Sequence, residues 1–286
     1  MDTTTPIGSV LIPAHNEGAV IERCLNSLFK VIAPGELEIA VVCNGCRDDT
    51  AERARGFGRS VTVIEIDQAS KPAALRAGDR HLRTFPRLYL DADVVLSGRT
   101  ARRVLGTLAH QGGVAARPPF RYDTSRSSAL VRRYYGARER LPIVATSIWG
   151  AGVYGLSAAG RARFADYPDV IADDLFVDQH FRPGELEIVG EDPVVVVAPA
   201  SLRDLLKVRR RVYRGAAENR ALDLVEGART TTTSTMRDVA VLAASGLPGL
   251  IDAMTYAFVN TLARLYVAFG RSTRWERDES SRVLGS

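Results

Sequence analysis

The chain has 286 residues, of which 46% are hydrophobic and 25% charged, with a formal net charge of +5. Such a composition can bury a full core and excludes the disordered and fibrous classes. Arginine supplies almost all of the positive charge, the only lysines being Lys30, Lys71 and Lys207. The basic residues are scattered except along one helix and no nucleic-acid-binding motif accompanies them, so nucleic acid is not expected as a partner.

In chain order, residues 10–14 form a short apolar run ending around Pro13, and a helical pattern starts near Glu17 and continues through Val20, Ile21, Leu25 and Leu28. The unit recurs: residues 37–42 predict a strand, 48–57 a helix, 61–66 a strand, 72–82 a helix and 88–90 a strand. Strands alternating with helices imply an α/β fold with a mostly parallel sheet and helices on both faces. Ligands of such sheets bind beyond the carboxyl ends of the strands. The polar clusters His15-Asn16-Glu17, Asn44-Gly45, Asp67 and Asp91-Ala92-Asp93 fall at those ends.

After about Gly112 the alternation becomes irregular, with a glycine-rich turn at Gly150-Ala151-Gly152, a valine strand at 194–197 and a long basic helix at 203–224. Residues 230–235 are a polar, low-complexity run expected to be a loop or linker. Helical segments follow over 236–244 and 248–269, then a charged tail from Arg271. The apolar stretch at 247–269 is interrupted by Asp252, Asn260 and Arg264, which argues against a simple spanning helix. Met254, Phe258, Leu262, Leu265 and Phe269 recur there at helical spacing. They suit a packing helix or dimer contact, the favoured reading, or an interfacial helix in peripheral membrane contact.

Cys24, Cys43 and Cys46 are too few and too clustered for a secreted disulfide framework, and residues 1–8 lack a charged region followed by an apolar run. The expectation is a cytoplasmic protein, or one peripheral on the cytoplasmic membrane face. Cys43-x-x-Cys46 stands where a redox pair would stand in a thioredoxin-like protein, but without a second ligand pair it is no structural zinc site. Small buried fillers are the preferred reading.

The chemistry concentrates in Asp91-Ala92-Asp93, two carboxylates one residue apart at the end of a buried strand. Such a pair calls for a cation, and a hard divalent ion takes one or two carboxylates together with phosphate oxygens. An ordinary acidic loop is the bland alternative. A nicotinamide-dependent oxidoreductase is disfavoured because the first strand–helix turn reads Pro13-Ala14-His15-Asn16-Glu17, without Gly-x-Gly-x-x-Gly.

Several segments in order complete a pattern: Ile12-Pro13-Ala14-His15-Asn16-Glu17, Val42-Cys43-Asn44-Gly45-Cys46-Arg47-Asp48, Lys71-Pro72-Ala73-Ala74-Leu75, Asp91-Ala92-Asp93, Asp173-Asp174 and Arg209-Arg210-Arg211-Val212-Tyr213-Arg214-Gly215. Each is weak alone. Together they make residues 8 to about 225 resemble a family 2 glycosyltransferase of the GT-A, Rossmann-like fold. The resemblance implies a glycosyltransferase domain over 1–228, with a nucleotide-binding half at 1–112 and an acceptor half at 113–228, followed by a linker and C-terminal helical extension at 229–286.

It further implies inverting transfer of a hexosyl or N-acetylhexosaminyl group from a nucleotide-diphospho-sugar, a UDP-sugar first, to a hydroxyl of a sugar, lipid-linked or small-molecule acceptor. The cofactor would be Mn²⁺ or Mg²⁺, with Asp93 and Asp91 as its ligands. The donor would be bound by Pro13, Ala14, Glu17, Asn44, Lys71, Asp91, Ala92 and Asp93. Asn44 stands where the family usually has an acidic residue, which leaves the base open. Asp174 would be the general base, with Asp173 in reserve as a base or helix cap, since inversion needs one carboxylate to take the acceptor proton.

The basic helix is similar to the family's Gln-x-x-Arg-Trp segment, with Val208, Arg211 and Val212 at the matching positions. Arg211 would stabilise the departing diphosphate, and without the Gln and Trp a single addition is expected rather than processive polymerisation. Trp149 and Gly150 are acceptor-side candidates, a stacking platform beside a turn open to close approach; a buried core Trp is the alternative. A catalytically silent sugar-nucleotide-binding protein would keep the fold without needing Asp174.

Overall fold

A computed structural model of the chain describes residues 5–110, 112–182, 184–190, 192–221 and 232–269. Its first half is the expected succession: β1 (Ser9–Ala14), α1 (Ile21–Phe29), β2 (Glu38–Asn44), α2 (Thr50–Arg55), β3 (Thr62–Ile66), α3 (Lys71–His81), β4 (Arg87–Leu90) and α4 (Gly98–His110). β1, β2 and β4 are buried along almost their whole length because both faces of the sheet are covered there, whereas the edge strand β3 is partly exposed. Val10, Ile12, Ile39, Val41, Leu88 and Leu90 point into one core with Ile21, Leu25, Leu28 and Leu105. Their neighbours Leu11, Ala40, Val42 and Tyr89 point into the other with Ala74, Leu75, Phe176 and Phe181.

The chain continues through β5 (Ala115–Arg117), β6 (Phe120–Asp123), α5 (Ala129–Glu139), α6 (Pro142–Thr146), β7 (Val153–Leu156), α7 (Ala158–Arg161), α8 (Asp173–Asp178), β8 (Leu186–Ile188), β9 (Val194–Val197), α9 (Leu202–Ala221), α10 (Thr232–Ala244) and α11 (Leu247–Phe269). Seven strands form one sheet in the order β3-β2-β1-β4-β7-β5-β8, and β6 and β9 form a separate parallel pair. The main sheet is parallel except at β7, which runs antiparallel to β4 and β5. The expected α/β, GT-A type sheet with helices on both faces and a C-terminal helical region is therefore present.

Two features open a cleft at the carboxyl ends of the central strands. The first is the crossover: β1 leads outward to β2 and β3, and the chain returns to β4 on its other side. β1 stays paired with β2 to Ala14 but with β4 only to Leu11. Pro13, which has no N–H to give, lies beyond the last β4 pair, where a central-strand proline is tolerated. The second is the reversal of β7, which puts the start of that strand beside the end of β4, Val153 opposite Leu90.

Several boundaries differ from the sequence reading. α1 starts at Ile21 rather than near Glu17, because Asn16 takes a left-handed φ of 53° and the next residues are held in a loop. There the Glu17 N–H donates to the Thr50 hydroxyl at 2.8 Å and the Gly18 N–H to Asp48 at 3.0 Å. Thr232–Ala244 is helical, so the four residues 232–235 belong to the first turn of α10 rather than to a linker. Ser and Thr suit a helix start. Residues 230 and 231, the end of the basic helix beyond Ala221, and the tail from Arg271 lie outside the described residues.

α5, α6, α9, α10 and α11 enclose a third core around Val131, Tyr134, Leu205, Tyr256 and Val259. α11 turns Gly249, Ala253, Tyr256, Val259, Asn260 and Ala263 inward. Asn260 is buried, and its side-chain oxygen accepts from Arg209 Nε (3.1 Å), Tyr213 (2.9 Å) and Tyr134 (3.4 Å). Asp252 pairs with Arg133 of α5 and with Arg140 just beyond its end. The polar residues that interrupt the apolar stretch are thus its fastenings, and among the described residues no helix is long and apolar enough to cross a membrane.

Candidate active site

The cleft widens into a cavity of about 1090 Å³. Pro13, Glu17, Asn44, Lys71, Asp91, Ala92, Asp93, Gly150, Asp173, Asp174 and Arg211 all line it. Ala14 and Trp149, also expected in the site, do not line it. Ala14 is buried at the strand end, and Trp149 packs on the third core with its ring 4.9 Å from the Arg138 guanidinium.

At the centre stands Lys71, the first residue of α3, which Ser70 caps by accepting the Ala73 N–H at 3.3 Å. Its ammonium lies 2.7 Å from Asp91 Oδ1 and 3.0 Å from Asp173 Oδ1, joining the end of β4 to the start of α8. Burial disfavours the charge on Lys71, but Asp173, Asp91 and Asp174 outweigh it and hold the pKa above that of an ordinary lysine. Burial pushes the Asp173 carboxyl up to about 6, against the pull of Lys71 and with the charges of Asp174 and Asp91 adding to it. Burial raises Asp174 as well, again opposed by Lys71.

The two adjacent acids are placed differently. Asp173 is 4% exposed, and its Oδ2 is buried with no hydrogen-bond partner among the described residues. Asp174 is partly exposed, oriented by the Leu175 N–H at 2.8 Å. One is a buried counter-charge and the other a carboxylate open to the cavity.

Gly152 fixes the approach to the first acidic pair. Its carbonyl accepts the Asp91 N–H at 2.8 Å and its φ is +65°. A Cβ there would come within 2.7 Å of Val94 Cγ2 and 3.2 Å of Asp91 Oδ2, so only glycine lets this turn close on the Asp91 loop. Asp91 and Asp93 present hard oxygen donors, and among the described residues no cluster of three or more potential ligands surrounds them. Two carboxylates without a closed cage suit a Mg²⁺ or Mn²⁺ ion that completes its shell with phosphate oxygens and water.

Asn44 lines the cavity but its amide is engaged. With both groups satisfied, it donates to the Ala14 carbonyl at 2.7 Å and accepts from the Ser70 N–H at 3.1 Å. Asn44 thereby ties the β1 end to the cap of α3. Cys46 adds a second brace, donating to the Ala14 carbonyl (3.3 Å) and accepting the Asn16 N–H (3.4 Å). All three cysteines are free. Burial, with Cys46 adding to it, pushes the Cys43 thiol up to about 12, the opposite of what a reactive thiolate needs.

The far wall was not assigned a role from sequence. Tyr122 of β6, Tyr134, Tyr135 and Arg138 of α5, and Arg209 of α9 line it. Arg209 was visible in the basic run, but nothing in the run separates the buried Arg209, 8% exposed, from its neighbours. The four-residue spacing of Tyr134 and Arg138 puts them on one helix face, the only local signal available.

Residues 9–161 match the model of glycosyl transferase family 2. Over 117 residues, 39% of this chain, it is 32% identical to glycosyltransferase AglE of Haloferax volcanii and 31% identical to validoxylamine A glucosyltransferase of Streptomyces hygroscopicus subsp. limoneus. The matched stretch spans 38% and 25% of those proteins. Among solved structures, mannosyltransferase PcManGT of Pyrobaculum calidifontis, in complex with GDP-Man and Mn²⁺, gives a TM-score of 0.63 at 19% identity, covering 94% of this chain and 89% of that one. Glucosyl-3-phosphoglycerate synthase of Mycobacterium tuberculosis with phosphoglyceric acid gives 0.51 at 19% identity, covering 73% and 79%. At these identities the structural likeness concerns the fold. The family match covers more than half of the sequence and contains the strand-end segments that build the acidic side of the cavity, and the chain belongs to glycosyl transferase family 2.

Proposed function

We propose that the chain is a metal-dependent, inverting glycosyltransferase that moves one sugar per turnover from a nucleotide diphosphate donor, a UDP-sugar first, to an acceptor hydroxyl. The observation that carries this reading is the convergence of Asp91, Asp93, Lys71 and Asp174 on one cavity at the switch point of a parallel sheet. Asp93 and Asp91 would hold the divalent ion, which when bound supplies positive charge to the diphosphate. Lys71 keeps Asp91 and Asp173 in place through its two ion pairs.

Asp174 is the base: it takes the acceptor proton as the hydroxyl oxygen bonds to the anomeric carbon. The bond from that carbon to the diphosphate oxygen breaks on the opposite face, and the nucleoside diphosphate leaves with the electron pair. Burial raises the Asp174 pKa and makes it a stronger base than a free aspartate. Arg211 lines the same cavity and sets a fixed positive charge toward the leaving group. Val208 and Val212, in place of the family's Gln and Trp, favour single addition over polymerisation.

Calorimetric titration of UDP, GDP and dTDP with and without Mn²⁺, on the wild type and on Asp93→Ala, tests the proposal. GDP belongs in the panel because the Pyrobaculum protein was solved with GDP-Man. Metal-dependent binding of one nucleotide, lost in the variant, is the expected result. Absence of binding by all three to folded protein sinks it.

A further inference from the structure

Arg138 and Arg209 face the cavity from α5 and α9 without a carboxylate partner. Each spends its Nε on a neutral acceptor, Arg138 on the Tyr122 hydroxyl at 2.8 Å and Arg209 on Asn260 Oδ1 at 3.1 Å. Each lays its plane on an aromatic ring, Arg138 over Trp149 and Arg209 over Tyr213, both at 4.9 Å. Neither forms an ion pair among the described residues. A guanidinium carries five N–H groups, and both residues line the cavity with no hydrogen bond from a terminal nitrogen to a protein acceptor among the described residues.

The two charges also oppose each other. Arg209 and the Tyr134 hydroxyl share the Asn260 oxygen, and Tyr134 stands four residues before Arg138 on α5. Withdrawing a cation from water costs several kcal/mol unless an opposite charge repays it. Ring stacking covers the faces of a guanidinium and leaves its hydrogen-bonding edges unanswered. Two such edges in one cavity, neither paired with a carboxylate among the described residues, match a planar or tetrahedral oxyanion that takes parallel N–H bonds.

The location separates this charge from the donor's. Asp91 and Asp93 follow β4, Lys71 opens α3, and Asp173 and Asp174 open α8. Arg138 and Arg209 stand on helices bolted to α11 through Asn260 and to the β6–β9 ribbon through Tyr122. We propose that Arg138 and Arg209 form an anion subsite that receives a phosphate or carboxylate group of the acceptor. The assignment to the acceptor rests on the glycosyl-transfer reading; the anion subsite itself stands on the two arginines.

Trp149, whose ring lies on Arg138, supplies the readout, and Trp275→Phe removes the other of the two tryptophans. In that full-length background, fluorescence is followed during titration with inorganic phosphate or malonate at ionic strength matched with sodium chloride. Saturable binding is expected, weakened at least tenfold by Arg138→Gln and by Arg209→Gln. Asn260→Asp keeps the acceptor oxygen for Arg209 but adds the missing negative charge, so it is expected to lose the response while remaining folded. The ranking of phosphate against malonate assigns the group.

Binding that persists with saturating UDP or GDP and Mn²⁺ places the anion on the acceptor. Displacement of phosphate by the nucleotide assigns the arginines to the donor diphosphate and overturns the proposal. So does a response that chloride reproduces or that survives all three substitutions. Nucleotide binding without a phosphate response sinks the subsite alone. A phosphate response without nucleotide binding sinks the glycosyl-transfer reading and with it the acceptor assignment.

Discussion

The two walls of the cavity neutralise charge in different ways. On the β1–β4 side, Lys71 bridges Asp91 and Asp173, so that cation and anion come from the ends of successive elements and meet at 2.7 and 3.0 Å. On the α5–α9 side, Arg138 and Arg209 lean on tyrosines, a tryptophan and an amide. The first wall gathers a surplus of carboxylates around one lysine and leaves Asp174 open to the cavity. The second is complete only when something negative enters. A site for two substrates needs both kinds of wall: one to hold a donor together with its cation and one to select what the donor meets.

The largest expected effect separates Asp174 from Asp173. If Asp174 removes the acceptor proton, Asp174→Asn should lower kcat by about 10²- to 10⁴-fold, or about 3–5 kcal/mol of transition-state stabilisation, with nucleotide affinity unchanged. Donor-turnover assays and calorimetry on the same preparation check it. Loss of nucleotide binding along with turnover would make Asp174 part of the donor wall, unchanged turnover would take the base role away from Asp174, and a wild type that binds nucleotide without any turnover would be a binding protein.

Asp173 should respond to pH instead. Its folded pKa of about 6 lies above the roughly 3.9 of an unfolded aspartate, so between those values the folded state holds a proton that the unfolded state has lost. The contribution of Asp173 to stability is therefore fully present below about pH 4, falls as pH rises toward 6, and is flat above. A shift of about two units corresponds to up to about 3 kcal/mol. Urea unfolding at pH 4 and pH 7 should show Asp173→Asn gaining on the wild type by up to that amount at the higher pH. A difference that does not change with pH would mean Lys71 fully compensates the buried charge.

Most of the first wall was legible in the sequence because its residues sit in short runs at strand ends. A strand buried on both faces is a continuous apolar run, and the first polar residues after it must lie at the sheet edge where ligands bind. Asp91, Asp93 and Glu17 are legible that way, and Lys71 only through the resemblance of its segment to the family's. What the runs could not show is engagement: Asn44 looked like a free amide in the donor pocket, and the fold ties both of its ends to backbone. β5, β7 and β8 are three or four residues long, too short for a periodic signal, and with them the antiparallel turn that seats Gly152 against Asp91 was invisible. The arginine wall joins residues 138, 209 and 260, and no local pattern reports a contact between helices so far apart in sequence.

Asn260 is the fastening of that second wall. Asn260→Ala would leave Arg209 Nε and the hydroxyls of Tyr213 and Tyr134 without their shared acceptor. An unsatisfied buried donor costs about 1–3 kcal/mol. Because the cavity lets water reach Arg209, a total loss of about 2 kcal/mol is expected, visible as a lower denaturant midpoint. A much larger loss would mean that the docking of α11 itself depends on this one amide, and none at all would mean that water substitutes for it fully.

The smallest effect on stability is expected on the outer face of α11, where Leu247, Leu250, Met254, Phe258, Leu265 and Phe269 are all exposed. Met254, Phe258, Leu265 and Phe269, from the stripe expected to pack, are exposed, and α11 packs instead through Gly249, Ala253, Tyr256, Val259, Asn260 and Ala263; an exposed apolar stripe of this length gains nothing from water. An interfacial role for α11 would bring this face against an anionic membrane surface. Arg210 stacked on Tyr266 and Arg264 stacked on Tyr213 put positive charge beside the stripe, the pairing of apolar face and basic edge that suits an anionic interface. Replacing Leu250, Met254 and Phe258 by Ser should change stability by less than about 0.5 kcal/mol per site, since none is buried, while abolishing flotation with vesicles of anionic phospholipid. Equal flotation of variant and wild type, or a wild type that never floats, removes the membrane from the picture; a wild-type dimer that the variant turns into a monomer gives the stripe to a second copy of the chain.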